Sequence, residues 1–502
     1  MTQTPHKHLD PSLEDPEYEA NLKRATLASA IGSALEYFDF ALYGLSTALI
    51  FNVLFFPQGN PAMATVAAFA TFGVGFAARP IGGLLFGSLG DRLGRKFVLV
   101  VTILLMGGAS TLIGALPTYE SIGIWAPIGL VILRLLQGLG AGAEQAGATV
   151  LMAEYSPVKR RGFFSALPFI GIQAGTLLAA VVFFFITLLP QQQMLSWGWR
   201  IPFLASFLLI LLAVFIRSHL KETPTYVELE KTEQVTESPF KEISRNGIPG
   251  VVVGIGLRMA ENGGSYLFSS LALAFVMAIA GDSGDRGLLT WGVTLGSFIG
   301  IFSVPFAGHL SDKYGRRIIY RIGALFLLLY SFPAWYLLHT ANHYIAIAVV
   351  AIGIGVGVNT MLGPQCAMLP ELFGNRHRYL GVAMARELSA VLAGGLAGVL
   401  GAYLMAVSNN NWIIIAMYMA TLSAITFGCT YLVPETVRRD LTRLDDAVKV
   451  SRHEDGDSVV PQAVALVESG QSSTFENTNT GIHDAVTEAA VYLRGYENEK
   501  SV

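Results

Sequence analysis

Long apolar runs separated by short polar segments recur along the chain as far as about residue 433. A helix needs about 20 apolar residues to cross about 30 Å of hydrocarbon, and twelve runs approach or exceed that length. The predicted spans are 25–53, 62–90, 97–117, 124–151, 163–189, 201–217, 248–280, 288–310, 318–339, 343–369, 379–406 and 411–433. The pattern predicts an all-α membrane protein with twelve transmembrane helices.

Basic residues are concentrated in alternate connections between these runs. Lys and Arg cluster before residue 25 and near 92–96, 159–161, 217–245, 313–321 and 376–378. The connections at 54–61, 117–123, 340–342 and 407–411 contain none. Because loops rich in Lys and Arg stay on the cytoplasmic side, we expect both termini to be cytoplasmic.

One polar loop occurs twice. Residues 87–96 (GSLGDRLGRK) return as residues 308–317 (GHLSDKYGRR), so the two copies are 221 positions apart. A repeated loop in the same relation to its flanking apolar runs indicates a duplicated half. We therefore expect two pseudo-symmetric six-helix bundles, 25–217 and 248–434. They are joined by a cytoplasmic loop at 218–247, preceded by a polar segment at 1–24 and followed by an acidic tail at 435–502 that is expected to be disordered.

The composition excludes several other classes of protein. The chain has 502 residues, of which 53% are hydrophobic and 14% charged, and its mean hydropathy is +0.52. Soluble domains have about 25% charged residues, so this is a membrane protein, and a net charge of -3 gives no case for nucleic acid. The partners expected are a small-molecule substrate, protons and the lipid bilayer.

No enzymatic or metal chemistry is indicated. Cys366 and Cys429 lie in apolar runs without a His or Cys at ligand spacing, so neither a metal site nor a disulfide framework is expected. The chain also lacks HExxH, a phosphate-binding Gly-Lys-Ser/Thr loop and Gly-x-Ser-x-Gly. We expect no cofactor and no catalytic residues.

Ionisable residues within the predicted helices are the strongest candidates for function. A charge near the middle of a bilayer is costly and usually marks a transport pathway, although a purely structural ion pair is the alternative. The candidates are Glu36, Asp39, Arg134, Glu144, Arg258 and Glu261. Their depths favour a central cavity, which the polar residues Tyr37, Tyr43, Asn262, Tyr266 and Gln365 could also line.

Two pairs of these candidates are spaced as neighbours, which suggests a coupling scheme. Glu36 and Asp39 are three positions apart and share a helix face, as do Arg258 and Glu261. In a low-dielectric cavity two adjacent carboxyls are not expected both to stay ionised. If a proton neutralised one of them, an arginine would become available to a substrate carboxylate, and the two ligands would favour each other's binding.

Several fragments resemble a known family. They are EYFDF (36–40), RPIGG (79–83), RLLQG (134–138), AEQAG (143–147), AEYSP (153–157), KRRG (159–162), SWGWRIP (196–202) and LPELF (369–373). Over residues 25–436 the chain resembles the major facilitator superfamily. The resemblance is to its metabolite:proton symporter branch of shikimate, α-ketoglutarate, citrate and proline/betaine permeases.

The resemblance implies an alternating-access transporter of a bacterial inner membrane, driven by proton influx. It implies that the duplicated loops form a cytoplasmic gate and that Arg134 takes part in proton coupling. The positions of Asp39, Glu36 and Glu144 within the predicted helices make these acids the candidates for the coupling proton. The gate residues would be Gly87, Asp91, Arg92, Gly94, Arg95, Lys96, Gly308, Asp312, Gly315, Arg316 and Arg317. We expect Asp91→Asn to slow transport while leaving equilibrium substrate binding nearly unchanged.

Three functions remain open at this stage. The first is proton symport of a small organic anion, with Arg134 and Arg258 available to the carboxylate. The second is uptake of a zwitterionic osmolyte such as proline or betaine, with acids for the cation and aromatic rings for the methyl groups. The third is a membrane sensor, for which the tail has too few apolar residues to form an output domain.

Overall fold

The computed structural model describes residues 16–57, 59–93, 95–142, 144–219, 243, 247–281, 286–375, 377–441, 443 and 445–450. These ranges form α-helices with short π- and 3₁₀-helical turns, and they contain no strand. We number the long helices α1–α12 and keep one label where a turn interrupts a helix.

The first half contains six long helices. They are α1 (Pro16–Ser46, Thr47–Phe51, Asn52–Leu54), α2 (Pro61–Leu93), α3 (Arg95–Ala115), α4 (Trp125–Ala141, Glu144–Tyr155), α5 (Arg161–Ala166, Leu167–Phe169, Ile170–Thr187) and α6 (Arg200–His219). The predicted central loop lies largely outside the described residues.

The second half also contains six long helices. They are α7 (Ile248–Tyr266, Leu267–Leu271, Ala272–Ala280), α8 (Arg286–Tyr314), α9 (Arg316–His339), α10 (His343–Ile352, Gly353–Val358, Asn359–Leu372), α11 (Arg378–Ser389, Ala390–Gly395, Leu396–Val407) and α12 (Trp412–Leu432). Short helical turns at Tyr119–Ile122, Val158–Arg160, Gln191–Gly198 and Ala447–Val450 lie between or after them.

Nine helices among the described residues have the length and hydropathy of a membrane span. Shorter apolar helices cover Val100–Ala115 and Trp125–Ala141. With Arg200–His219 these segments are consistent with the twelve spans expected from the sequence. Large apolar side chains such as Leu208, Phe302 and Leu329 are more than 60% exposed on the outer surface, as a protein solvated by lipid requires.

The duplication is visible in the geometry of the helices. A π-helical turn interrupts α1 at Thr47–Phe51, and another interrupts α7 at Leu267–Leu271, which is 220 positions later (267 minus 47). The halves meet where α5 packs along α8 and where α2 packs along α11. Because α8 is the repeat of α2 and α11 is the repeat of α5, the second contact is the counterpart of the first.

Glycines allow helices within the first half to approach at backbone distance. A Cβ placed on Gly138 of α4 would lie 2.0 Å from the carbonyl oxygen of Gly75 on α2, and one on Gly142 would lie 2.0 Å from that of Arg79. On α5, a Cβ at Gly171 would lie 1.9 Å from the carbonyl oxygen of Ala30 on α1. Such small-residue contacts supply the packing that apolar burial cannot provide between helices in lipid.

This packing predicts that Gly138→Ala destabilises the protein. The added methyl group cannot fit against a backbone carbonyl, and overpacking costs about 1–3 kcal/mol. We expect a lower midpoint of thermal unfolding in detergent, measured by fluorescence, and less protein in the membrane. Gly108→Ala is the matched control, since a Cβ there meets nothing within 4 Å. Equal stability of the two variants would contradict this interpretation.

Candidate functional site

A polar cavity lies between the two halves. It is bounded by α1, α5, α7, α8, α10 and α11, and its empty volume, including its open mouth, is about 760 Å³. The charged residues in its lining are Arg258, Glu261 and Arg386. Uncharged polar residues such as Gln173, Asn262, Ser265, Ser270, Ser297 and Asn359 form much of the remaining wall.

Arg258 and Glu261 form an ion pair on α7, as their spacing suggests. Two nitrogens of Arg258, Nε and Nη2, donate to Glu261 Oε2 at 3.2 Å each. The same oxygen accepts a 3.0 Å hydrogen bond from Gln365 Nε2, and Arg258 Nη1 donates to the carbonyl oxygen of Arg386 at 3.1 Å. The pair therefore links α7 to α10 and α11 at the cavity wall.

Arg134 lies in the first half, behind the cavity wall. Its guanidinium carbon is 4.2 Å from the ring centroid of Tyr43, 4.5 Å from that of Phe40 and 4.9 Å from that of Phe72. Arg134 Nη1 donates to Gln137 Oε1. A Cβ on Gly75 would lie 2.5 Å from Arg134 Nε, so glycine at that position makes room for the side chain.

The two acids of α1 have different partners. Asp39 Oδ1 accepts a 2.8 Å hydrogen bond from Ser206 on α6, whereas Glu36 Oε1 lies 3.0 Å from Arg79 Nη2 on α2. The two acids therefore do not contact the same partner in this structure, and the scheme in which protonation of one of them frees Arg134 or Arg258 stays a prediction. Side chains three positions apart on a helix share a broad face, yet they can point into different helix–helix interfaces.

Arg79 connects the two halves through two acids. Its Nη2 pairs with Glu36, while its Nε lies 2.8 Å from Glu387 Oε2 on α11. All three side chains are at most 5% exposed. Sequence analysis missed this group, although Arg79 and Glu387 both lie inside predicted spans, because their partnership joins positions 308 residues apart.

The structure brings five of the predicted substrate residues to the cavity. They are Tyr37, Arg258, Glu261, Asn262 and Tyr266. Arg134, Tyr43 and Gln365 are buried but do not belong to the described lining. Arg386 also lines the cavity and is not among the predicted residues, because it is only the ninth residue of α11, where a charge can still belong to a helix end. The side chain of Glu144 lies outside the described residues.

The second copy of the duplicated loop ties the halves together at one end of the bundle. We call this end, which carries residues 87–96 and 308–317, the motif end. Asp312 accepts hydrogen bonds from the backbone N–H groups of Gly162, at 2.7 Å, and Phe163, at 2.9 Å. Arg316 Nη1 lies 2.7 Å from the same carboxylate. The aspartate therefore joins the start of α5 to the end of α8.

Gly308 and Gly162 meet at the same place. A Cβ on Gly308 would lie 2.5 Å from the carbonyl oxygen of Gly162, so the first glycine of the loop permits this close crossing of α5 and α8. The first copy of the loop is only partly described. Gly94, the surroundings of Gly87 and the side chains of Asp91, Arg92, Arg95 and Lys96 lie outside the described residues. Their expected gate role stays a prediction.

Two further ion pairs cross between the halves at the motif end. Glu371, at the end of α10, lies 3.1 Å from Arg161 of the first half and 3.2 Å from Arg316 of its own half. Arg378, at the start of α11, lies 2.8 Å from Glu154 at the end of α4. With Asp312, these contacts join the two halves at the motif end.

The chain beyond α12 packs across the motif end. Glu435 caps the N-terminus of α9 by accepting from the N–H groups of Arg316, at 2.8 Å, and Arg317, at 3.2 Å. Gly315, with φ of 104°, lies so close that its Cβ would be 2.5 Å from Glu435 Oε2. Thr436 Oγ1 donates to Glu371 at 2.8 Å.

This contact continues as far as residue 448. The carbonyl oxygen of Arg439 accepts from Arg161 Nη1 at 2.8 Å, Asp446 accepts from the N–H of Gly374 and bonds His377 Nε2, and Val448 is buried. The expectation of a disordered tail from residue 435 is therefore wrong for the described residues up to 450. Acidic residues here bind helix ends and basic groups, so a composition that indicates disorder is compatible with docking.

Comparison with known proteins agrees with this architecture. A family model for "Sugar (and other) transporter" matches residues 25–249, and one for "Major Facilitator Superfamily" matches residues 262–466. The chain is 35% identical to the shikimate transporter of Escherichia coli (strain K12), over 83% of this chain and 95% of that protein. It is also 35% identical to the proline/betaine transporter of the same strain, over 84% and 85% respectively.

Solved structures show the same fold. A proton:xylose symporter bound to 6-bromo-6-deoxy-D-glucose matches with a TM-score of 0.65 at 20% identity, over 85% of this chain and 98% of that chain. An inward-open xylose transporter from E. coli matches with a TM-score of 0.62 at 21% identity, over 84% and 99%.

The fold and these relatives define a multi-pass membrane transporter, and the chain is not an enzyme. The chain belongs to the major facilitator superfamily. The family resemblance and the fold class expected from the sequence are thereby confirmed.

The contacts of Asp312 predict that Asp312→Asn favours a state open at the motif end. An amide offers one acceptor oxygen to two N–H donors and loses the ion pair with Arg316. Losing one or two charge-assisted hydrogen bonds corresponds to about 1.5–3 kcal/mol, or roughly a 10- to 100-fold shift in a two-state equilibrium. Spin labels at the exposed positions Lys159 and Ile318 should show a larger separation between the halves.

Asp445→Asn is the matched control for this measurement. Asp445 is 43% exposed and pairs only with arginines of its own segment, so it should leave the label distance unchanged. An unchanged distance distribution in Asp312→Asn would show that this aspartate does not hold the halves together.

Proposed function

We propose that this protein carries out proton-coupled uptake of a small organic anion by alternating access. The observation that supports it is the charge of the cavity: the described lining contains two arginines and one glutamate, a formal charge of +1. A site of this charge favours a ligand with a single negative charge. The closed motif end and the polar cavity fit a state in which the substrate site is shut off from one side.

The charged and the uncharged polar residues of the cavity lining each indicate a part of the substrate's chemistry. Arg386 lines the cavity, hydrogen-bonds Thr149 at 3.4 Å and lies 5.4 Å from the ring centroid of Phe169. We infer that it binds the substrate carboxylate beside Arg258, whose charge is offset by Glu261. The serine and amide side chains elsewhere in the lining can form hydrogen bonds with hydroxyl groups of the substrate. A hydroxylated monocarboxylate such as shikimate meets both requirements.

A zwitterionic osmolyte is the second candidate. The rings of Tyr37, Phe40 and Tyr266 line the cavity and could face a quaternary ammonium group, with Glu261 as its counter-charge. A relative named as a proline/betaine transporter supports this reading as strongly as the shikimate transporter supports the other. The net charge of the lining favours the anion.

We also propose that the motif end faces the cytoplasm of a bacterial inner membrane, with both termini on that side, as the distribution of basic loops indicates. Cysteine labelling in intact cells tests this orientation. A cysteine at Gln191 should react with an impermeant reagent and a cysteine near the C-terminus should not; the reverse pattern would contradict the orientation.

A substrate panel in proteoliposomes tests the function directly. With the outer solution more acidic than the lumen, we expect shikimate or another small carboxylate to be concentrated inside. A protonophore that collapses the pH gradient should abolish accumulation and leave exchange. Uptake of proline or glycine betaine alone, stimulated by a salt upshift, would favour the second candidate; no gradient-driven uptake of any compound would refute proton coupling.

Arg386→Gln tests the carboxylate site. Removing a charge-assisted contact worth about 1.5–3 kcal/mol should weaken equilibrium binding of the transported carboxylate by roughly 10- to 100-fold. Arg321→Gln is the control, because Arg321 contacts Thr430 and the ring of Tyr431 away from the cavity and should keep normal affinity. If both variants bind like the wild type, the carboxylate lies elsewhere.

A further inference from the structure

The Arg79 group contains one more acid than it has bases. Arg79 serves two buried carboxylates, Glu36 and Glu387, so the three residues carry a formal charge of -1 when all are ionised (+1 and -2). An excess charge buried between helices is costly unless it is compensated nearby. We call these three residues the triad.

The positive charge that compensates the triad lies in the cavity lining. Arg386 and Glu387 are consecutive on α11, and Arg386 lines the cavity while Glu387 contacts the triad arginine. Tyr37 and Glu36 are arranged in the same way on α1. The triad, at -1, therefore lies directly behind a lining at +1, and together the described groups are neutral.

Three arginines interact electrostatically with Glu387, namely Arg79 from α2, Arg258 from α7 and Arg386 from α11 itself. The same arginines also interact with Glu36 and Tyr37 from α1, Glu261 from α7 and Cys366 from α10. From α4, Thr149 contacts Arg386, and the side chain of Glu144 lies outside the described residues. Arg79, Arg258 and Arg386 thus balance Glu36, Glu261 and Glu387.

We propose that the triad binds the coupling proton and that Glu387 is its acceptor. This inference rests on the proposed anion transport. A substrate carboxylate at the cavity wall neutralises the lining, and the triad is then left with an uncompensated negative charge. A proton on Glu387 restores neutrality, so the anion and the proton bind together, one for one, through linkage rather than contact.

We assign the proton to Glu387 rather than to Glu36 because the two acids belong to different halves of the protein. Arg79 and Glu36 both belong to the first half, whereas Glu387 belongs to the second. Protonation of Glu387 removes the ionic part of the Arg79 bridge between α2 and α11, which biases the halves toward separation. Protonation of Glu36 would leave that bridge intact. A transporter loaded with both ligands therefore loses this bridge, whereas one that carries only the anion keeps it.

Glu387→Gln is the decisive variant, because an amide resembles a carboxyl that is always protonated. In the purified wild type, the affinity for shikimate, or for the panel carboxylate transported best, should fall by up to tenfold per pH unit above the titration range of the site. In Glu387→Gln the affinity should stay high and independent of pH. Gradient-driven accumulation should fall to a concentration ratio of about one, while exchange of labelled for unlabelled substrate continues.

Glu154→Gln is the matched control. Glu154 also pairs with an arginine of the other half, Arg378, but it is 38% exposed and lies at the motif end. Its replacement should weaken closure and still leave substrate affinity dependent on pH. A merely structural role of Glu387 would make the two variants alike, so the pH profile separates coupling from packing.

Each outcome decides the inference. If wild type concentrates substrate in response to pH and Glu387→Gln does so equally, Glu387 is not the proton acceptor, although anion symport stands. If Asp39→Asn abolishes the pH dependence and Glu387→Gln does not, Asp39 is the acceptor. If wild type shows no response to a pH gradient, the proposed function itself fails.

A second variant covers the case in which Glu387→Gln does not reach the membrane. Glu387→Asp keeps a titratable carboxyl on a shorter side chain, so its contact with Arg79 must lengthen. The pH midpoint of substrate affinity should then move relative to the wild type. An unchanged midpoint in a well-folded Glu387→Asp protein would overturn the assignment.

Discussion

A charge buried between membrane helices must be compensated inside the protein, and this constraint organises the centre of the molecule. Hydrocarbon offers no hydrogen-bond partner, so each arginine between these helices requires an acid, an aromatic face or a carbonyl oxygen as its partner. Arg258 has Glu261, Arg134 has three aromatic rings, and Arg79 has Glu36 and Glu387. Since most of these partners come from other helices, compensation of charge also fixes the packing of the bundle.

Close helix packing is what brings the charges within reach of each other. The α2–α4 contact passes through Gly138 and Gly142, which touch the backbone carbonyls of Gly75 and Arg79. Gly75, which leaves space for Arg134, and Arg79, which belongs to the triad, therefore both lie on the α2–α4 interface formed at these glycines. A larger residue at either glycine of α4 would displace α2, and with it the bridge between the halves.

Sequence alone reached the fold because its signals are local or repeated: apolar length, alternating charge and a loop copied at 221 positions. It also found Arg258 and Glu261, whose pairing follows from a spacing of three on one helix. It missed Arg79 with Glu387, since no periodicity connects side chains 308 positions apart on helices of different halves. It misjudged residues 435–450 because their acids bind helix ends that exist only after the halves have folded.

The ratio of arginine to glutamate distinguishes the two connections between the halves. At the motif end, Glu371 lies between two arginines, Arg161 and Arg316, and also accepts from Thr436. The carboxylate there is therefore outnumbered by its donors. In the triad, by contrast, two carboxylates, those of Glu36 and Glu387, share the single guanidinium of Arg79. The same pair of residue types thus joins the halves at the motif end and, in the triad, forms the group to which we assign the coupling proton.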